Sequence, residues 1–179
     1  MATWKSRGLR GSLFEEIINR TNELYRDRGT ALVQKIPTPI TPIDIDRQTS
    51  HITLAYFDRK STVDYIGLAQ GIALCFDCKE CAADTFALQN IHPHQFDFME
   101  RFEEQRGIAF LIIYYSHKDL LYYLPFSDLK KFWDRKEEGG RKSFRFEELD
   151  EKWIIDAKSG VLVPFLDSLK IDLESRVDN

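Results

Sequence analysis

Asp77 and Lys79 end an apolar run, Ile72 to Lys79 (IALCFDCK), and a second acid, Asp64, stands across an expected hairpin. Strand side chains alternate faces at about 3.3 Å per residue, so Asp77 and Lys79 emerge on one face roughly 7 Å apart. An apolar strand has no structural use for such a pair. Clustered carboxylates repel each other, and a divalent cation is their natural neutraliser; magnesium prefers hard oxygen ligands and keeps several waters. A cation held by Asp64 and Asp77 would polarise a scissile phosphate and lower the pKa of a bound water. Lys79, a compact charge, would then stabilise the transition state or orient the attacking water.

The spacing alone is weak evidence, because an acid precedes a lysine by two positions six times, beginning at Asp58, Asp77, Asp128, Asp134, Asp150 and Asp156. Context separates them. The pairs at 128, 134 and 150 lie in charged helical or loop surroundings, where a solvated face is the plain explanation. Only Asp77 closes an apolar strand and has a hairpin partner. The competing explanation is a surface ion pair between Asp77 and Lys79, which would contribute little.

The elements that must position these groups follow from pattern. Leu13, Phe14, Ile17, Ile18, Leu24 and Tyr25 recur at helical spacing and predict a helix from Ser12 to Arg28, stopped by Gly29. A strand, Ala31 to Lys35, leads into a segment with Pro37, Pro39 and Pro42. That density excludes a central strand, so an extended two-stranded stalk is expected between Ile36 and Lys60. STVDYIGLA and GIALCFDCK form a hairpin turning near Gly67 to Gly71. A helix from Pro93 to Arg106 precedes two strands, IAFLIIYY and DLLYYLPF, and a short helix from Ser127 to Lys136. The tail beyond Ser143 is read as one helix and one strand, VLVPFL. The order indicates an α/β sheet with helices on both sides, a single domain over residues 1–179 with 144–179 as a divergent tail.

Composition bounds the function. The chain has 179 residues, 43% hydrophobic, enough for one compact domain with a real core. Its richest apolar run, Ile108 to Tyr115, is of strand length, so no membrane partner is expected. The basic start, MATWKSRGLRGS, lacks the apolar stretch of a signal peptide, and three close-spaced cysteines make no disulfide framework; both point to the cytoplasm. Net charge is −4, yet residues 1–60 hold ten Lys/Arg against seven Asp/Glu. That distribution keeps a nucleic-acid partner open.

Several blocks resemble, in order and spacing, the RecU-type Holliday junction resolvases: GSLFEEIINRTNELYRDRG, QKIPTP, AYFDRKSTVDY, FDCKE, LQNIHPHQ, RGIAF and GGRKS. The resemblance covers Gly11 to Ser143. It implies a restriction-endonuclease-like nuclease core with a mixed central sheet flanked by helices and a stalk projecting between early strands. It implies a homodimer that cuts four-way junction DNA symmetrically in recombination and repair, with Mg²⁺ or substituting Mn²⁺, and a recombinase as a further partner. Carried over by position, it implies metal binding by Thr62, Asp64, Asp77 and Gln95, with Lys79 stabilising the transition state and Glu15 as a further catalytic acid. Asp77 departs from the family's usual glutamate, and the loop between Lys79 and Leu88 is one residue shorter. Two rival functions stay open: a junction-binding or recombinase-modulating protein with weak nuclease activity, and a same-fold nuclease acting on other DNA structures.

Plainer explanations compete at most positions. Ser12 with Glu15 would make a capping box, Gln95 is a first-turn helix residue, and Thr62 suits any strand. Cys75, Cys78 and Cys81 copy the start of a ferredoxin motif, but no fourth cysteine follows and Cys78 faces away from Cys75. His92 and His94 bracket Pro93 and are not expected to share a helical face; His94 is read as positioning the loop or contacting phosphate. Lys35, Arg47, Arg59, Lys60, Arg141 and Lys142 are candidates for DNA phosphate contacts, which position a duplex without reading its sequence. Phe96, Phe98, Phe102 and Phe132 sit at core spacing, so base stacking is not implied.

Overall fold

The computed structural model describes residues 10–57, 62–156 and 161–177. In chain order the elements are α1 (Arg10–Asp27), β1 (Ala31–Lys35), β2 (Ile40–Asp46), β3 (His51–Phe57), β4 (Tyr65–Ala69), β5 (Ile72–Cys81), β6 (Thr85–Ala87), α2 (Pro93–Glu104), β7 (Ile108–Tyr115), β8 (Leu120–Pro125), α3 (Phe126–Glu137), β9 (Ser143–Arg145), β10 (Ile154–Ile155) and α4 (Phe165–Val177). Six strands form one sheet in the order β1-β4-β5-β7-β8-β10. Only β5 and β7 run parallel, so the sheet is mixed, as expected; the crossover between them carries α2.

Burial explains the elements. Phe14, Ile18 and Tyr25 recur at helical spacing on α1 and are buried, while β7 is buried along almost its whole length, as an interior strand covered on both faces must be. Tyr65, Phe76 and Phe110 stack across adjacent strands, with ring centroids 4.8 and 4.9 Å apart, and Phe165 of α4 lies against Phe76 at 5.0 Å. The other face is closed by α2 and α3, whose Phe96 and Trp133 stack at 4.3 Å. Tyr123 of β8 donates to Asp172 at 2.9 Å, and Arg176 ties Asp172 to Glu103 of α2, so a buried polar network anchors α4. Among the described residues no helix is long and apolar enough to cross a membrane.

The expected stalk is present as a separate two-stranded sheet, β2 paired with β3. Its register shifts between Pro42 and Asp44 and again between Asp44 and Ile45, the irregularity a strand proline invites. Asp46 closes the turn by accepting from the Gln48 N–H at 2.9 Å and the Thr49 hydroxyl at 2.6 Å. Ile43 and Phe57 on this hairpin are 60% and 76% exposed.

Three expectations are corrected. The helix expected to start at Ser12 already runs from Arg10; a serine preceding an apolar run marks a boundary only weakly. VLVPFL is not a strand: Val161 and Val163 are buried, Pro164 follows, and α4 starts at Phe165. The edge strand is instead Ile154–Ile155. His92 and His94 do come together, their rings stacked 5.3 Å apart around the start of α2.

Gly67 lets β1 and β4 approach closely. A Cβ there would lie 2.4 Å from the Leu32 carbonyl oxygen and 2.7 Å from the Val33 Cα, both backbone atoms that cannot swing aside. Gly67→Ala should therefore cost about 1–3 kcal/mol of stability, measured by urea unfolding; an unchanged midpoint would mean that β1 is free to shift.

Candidate active site

Pairing of β4 with β5 sets the carboxylates. Tyr65 lies opposite Phe76, so one step further Asp64 lies opposite Asp77, on the same face of the sheet. Each acid is held by its neighbour's backbone: the Asp64 N–H donates to Asp77 Oδ1 at 2.6 Å, and the Cys78 N–H donates to Asp64 Oδ2 at 3.4 Å. Asp77 is fully buried. Burial, and then the neighbouring Asp77 carboxylate, push the Asp64 carboxyl up from its ordinary 3.8 to about 6; Lys79 opposes this and Glu15 adds to it.

Lys79 completes the cluster. Its ammonium lies 2.8 Å from Asp77 Oδ2 and 3.4 Å from Gln95 Oε1. Gln95 is brought in by the first turn of α2, where its Oε1 also accepts the His92 N–H at 3.1 Å. One oxygen thus closes the helix start and faces the lysine. The plainer explanation of Gln95 and its proximity to the site therefore both hold.

These donors suit a divalent cation. Among the described residues, Asp77 Oδ2 is buried and makes no directed hydrogen bond, and the Lys79 ammonium lies 2.8 Å from it. An ammonium already spans Asp77 and Gln95, and Asp64 holds a like charge that a cation would relieve. Two carboxylates and an amide carbonyl are hard oxygen ligands of the kind magnesium takes, with waters completing the shell. Among the described residues, no group of three His, Cys, Asp or Glu side chains converges to hold a metal. The cysteines are free; burial pushes the Cys75 and Cys78 thiols upward, away from the thiolate a soft metal needs.

The remaining candidates are distributed as follows. Thr62 is half-buried in the bend two residues before Asp64. Glu15 forms an ion pair with Lys35, which lies opposite Tyr65 in the β1–β4 register and so belongs to the other face of the sheet. Lys35 is accordingly a paired charge. Arg47 sits exposed in the turn of the β2–β3 hairpin. Arg141 is exposed and lies 3.4 Å from Glu148; Lys142 is exposed, and its carbonyl accepts the Leu88 N–H at 3.1 Å. Arg59 and Lys60 lie outside the described residues.

Sequence reasoning missed Tyr65 and Asn19. The Tyr65 hydroxyl donates to Asn19 Oδ1 at 3.0 Å and reaches the Glu15 carbonyl at 3.4 Å, tying α1 to the strand that bears Asp64. Only the position of Tyr65 beside Asp64 could have drawn attention to it, since a buried tyrosine has ample structural use.

Fold and site together define a class: a mixed α/β domain whose central hairpin brings two acids and a lysine together on one face of the sheet. The chain belongs to the recombination protein U family, whose model matches residues 9–171. It is 39% identical over 165 residues to the Holliday junction resolvase RecU of Limosilactobacillus reuteri, covering 89% of this chain and 81% of that protein. The RecU of Geobacillus kaustophilus is 38% identical over 174 residues, with 95% and 84% covered. That of Bacillus subtilis is 41% identical over 146 residues, with 79% and 70% covered.

Proposed function

We propose that this chain is a Mg²⁺-dependent, structure-selective endodeoxyribonuclease that resolves Holliday junctions by symmetric phosphodiester cleavage. The observation that carries this reading is the ammonium of Lys79 spanning Asp77 and Gln95, with Asp64 directly across the hairpin. The relatives named resolvases support the choice of substrate. Asp64, Asp77 and Gln95, with Thr62 beside them, would hold the cation. When bound, it supplies a polarised phosphate and a water of lowered pKa. Lys79 then places positive charge where the phosphorane charge develops, and the buried wall around Asp77 excludes competing water.

A homodimer would bring two such sites to opposed strands of a two-fold symmetric crossover. Basic side chains on and beside the stalk, Arg47 among them, would contact phosphates, so binding should weaken steeply with salt. The nuclease core would be of the restriction-endonuclease-like kind that the resemblance implies.

The deciding experiment compares a synthetic four-way junction with linear duplex of matched sequence in Mg²⁺. Paired nicks on opposite strands of the junction are expected, with the duplex largely intact. Preferential cutting of the duplex would transfer the chain to a different nuclease activity, and binding without cutting would make it a junction-binding protein.

The Asp64 carboxyl supplies a pH test. Its value in the fold, about 6, is above its ordinary 3.8. The folded chain therefore keeps a proton that the unfolded chain has lost between those two values. Its contribution to metal-free stability is present in full below 3.8 and is lost as pH rises through about 6. Metal must displace that proton at low pH, so apparent Mg²⁺ affinity should fall by about tenfold per unit below pH 6. Thermal melts with and without Mg²⁺ should show a larger increment at pH 7.5 than at pH 5; equal increments would remove Asp64 from the ligand set.

A further inference from the structure

On the opposite face of β5 from the carboxylates, the structure has a cavity of about 500 Å³. Among the described residues, its apolar walls include Phe14 and Ile17 of α1, Tyr114 of β7, Leu121 of β8 and Leu162 before α4. Glu80 and Asp119 also line it. Strand alternation explains the placement: Lys79 faces α2 and the metal donors, and Glu80, the next residue, faces the other way.

Among the described residues, the unpaired charges lining this cavity are two acids; His117, which also lines it, is held by Asp84. Glu80 and Asp119 enter no ion pair among the described residues, and Asp119 accepts only the Tyr114 hydroxyl, at 2.8 Å. Among the described residues, the neighbouring His117 and Lys118 are both held by Asp84, each at 2.8 Å. Leu162 is 49% exposed, leaving apolar surface open to solvent beside the acids.

We infer that this cavity is a docking site for a protein segment that places a bulky apolar side chain next to lysine or arginine. The volume holds one or two large side chains, the walls bury them, and the two carboxylates meet the flanking cations. A bound segment would also touch the helix that presents Glu15 and Asn19. Phe14 packs on Tyr114, ring centroids 5.6 Å apart, while one residue along the helix Glu15 pairs with Lys35, and Asn19 holds Tyr65. Occupancy is thereby coupled to the wall behind Asp64. The docking inference itself does not depend on the metal chemistry proposed above.

The test uses the full chain and a fluorescein-labelled peptide of sequence KWKLKWK, with EWELEWE as control, followed by fluorescence anisotropy. The basic peptide should bind and the acidic one should not. The double variant Glu80→Gln, Asp119→Asn should weaken binding at least tenfold while junction cleavage without peptide stays at the parent rate. Asparagine is chosen at 119 because that residue has φ of 50°, which asparagine tolerates. Equal binding of both peptides, or equal affinity in the double variant, would overturn the inference. So would an absence of binding; if Leu162→Glu then also changed the sedimentation coefficient, the cavity would belong to a second copy of this chain.

Discussion

Asp77→Asn is expected to lower junction cleavage by about 10²–10³-fold or more, the scale on which one preorganised electrostatic partner is lost. The side chain is fully buried, so the near-isosteric amide keeps the packing and can still accept the Asp64 N–H through its oxygen. It removes the charge that faces Lys79 and that would hold the proposed cation. Junction binding through the proposed phosphate contacts, which lie away from this pair, should survive within a few-fold at constant salt. Gel shift and cleavage on one labelled junction separate these effects. Cutting at the parent rate would detach the chemistry from this hairpin; joint loss of binding and cutting would point to misfolding instead.

Lys79→Met should affect both stability and rate. Methionine keeps most of the aliphatic stem but leaves Asp77 buried beside Asp64 with no counter-charge. Breaking a buried pair by removing one partner costs about 3–5 kcal/mol, and here the two acids would also repel. In EDTA the variant should therefore unfold at markedly lower urea than the parent. Mg²⁺ should restore part of that loss, because the cation replaces the missing ammonium as neutraliser. Cleavage should stay low even in saturating Mg²⁺, since the charge proposed to meet the developing phosphorane is gone. A variant equally stable in EDTA would show the pair to be a solvent-screened contact of little consequence. Full activity in Mg²⁺ would show that Lys79 serves only the fold.

Much of this site was legible in the chain because its logic is local. Alternation on β5 fixed which side Asp77 and Lys79 share, and a hairpin joining two alternating runs set Asp64 across from Asp77. Pro93 marked the start of α2, though the helix ends at Glu104 rather than Arg106, and the unbroken apolar run Ile108 to Tyr115 marked β7 to the residue. The misses have a different physical origin. A short apolar run such as VLVPFL buries itself equally well as strand or as packed coil, and only the tertiary contacts of α4 decide. Helix starts are weakly encoded, so Ser12 could look like a cap while lying inside the first turns. The Glu15 pair with Lys35 and the Asn19 bond to Tyr65 join α1 to separate strands, and nothing in residue type announces such long-range partners.

The one parallel pairing in the sheet shapes how the site comes into being. The β4–β5 hairpin closes over a two-residue turn, whereas β7 can join β5 only after the whole α2 crossover has been threaded. Short loops close early and long ones late. Two acids would therefore meet in a nascent hairpin well before Gln95 arrives. Because the lysine sits on the same strand as one of those acids, a hairpin formed alone would already carry its own countercharge.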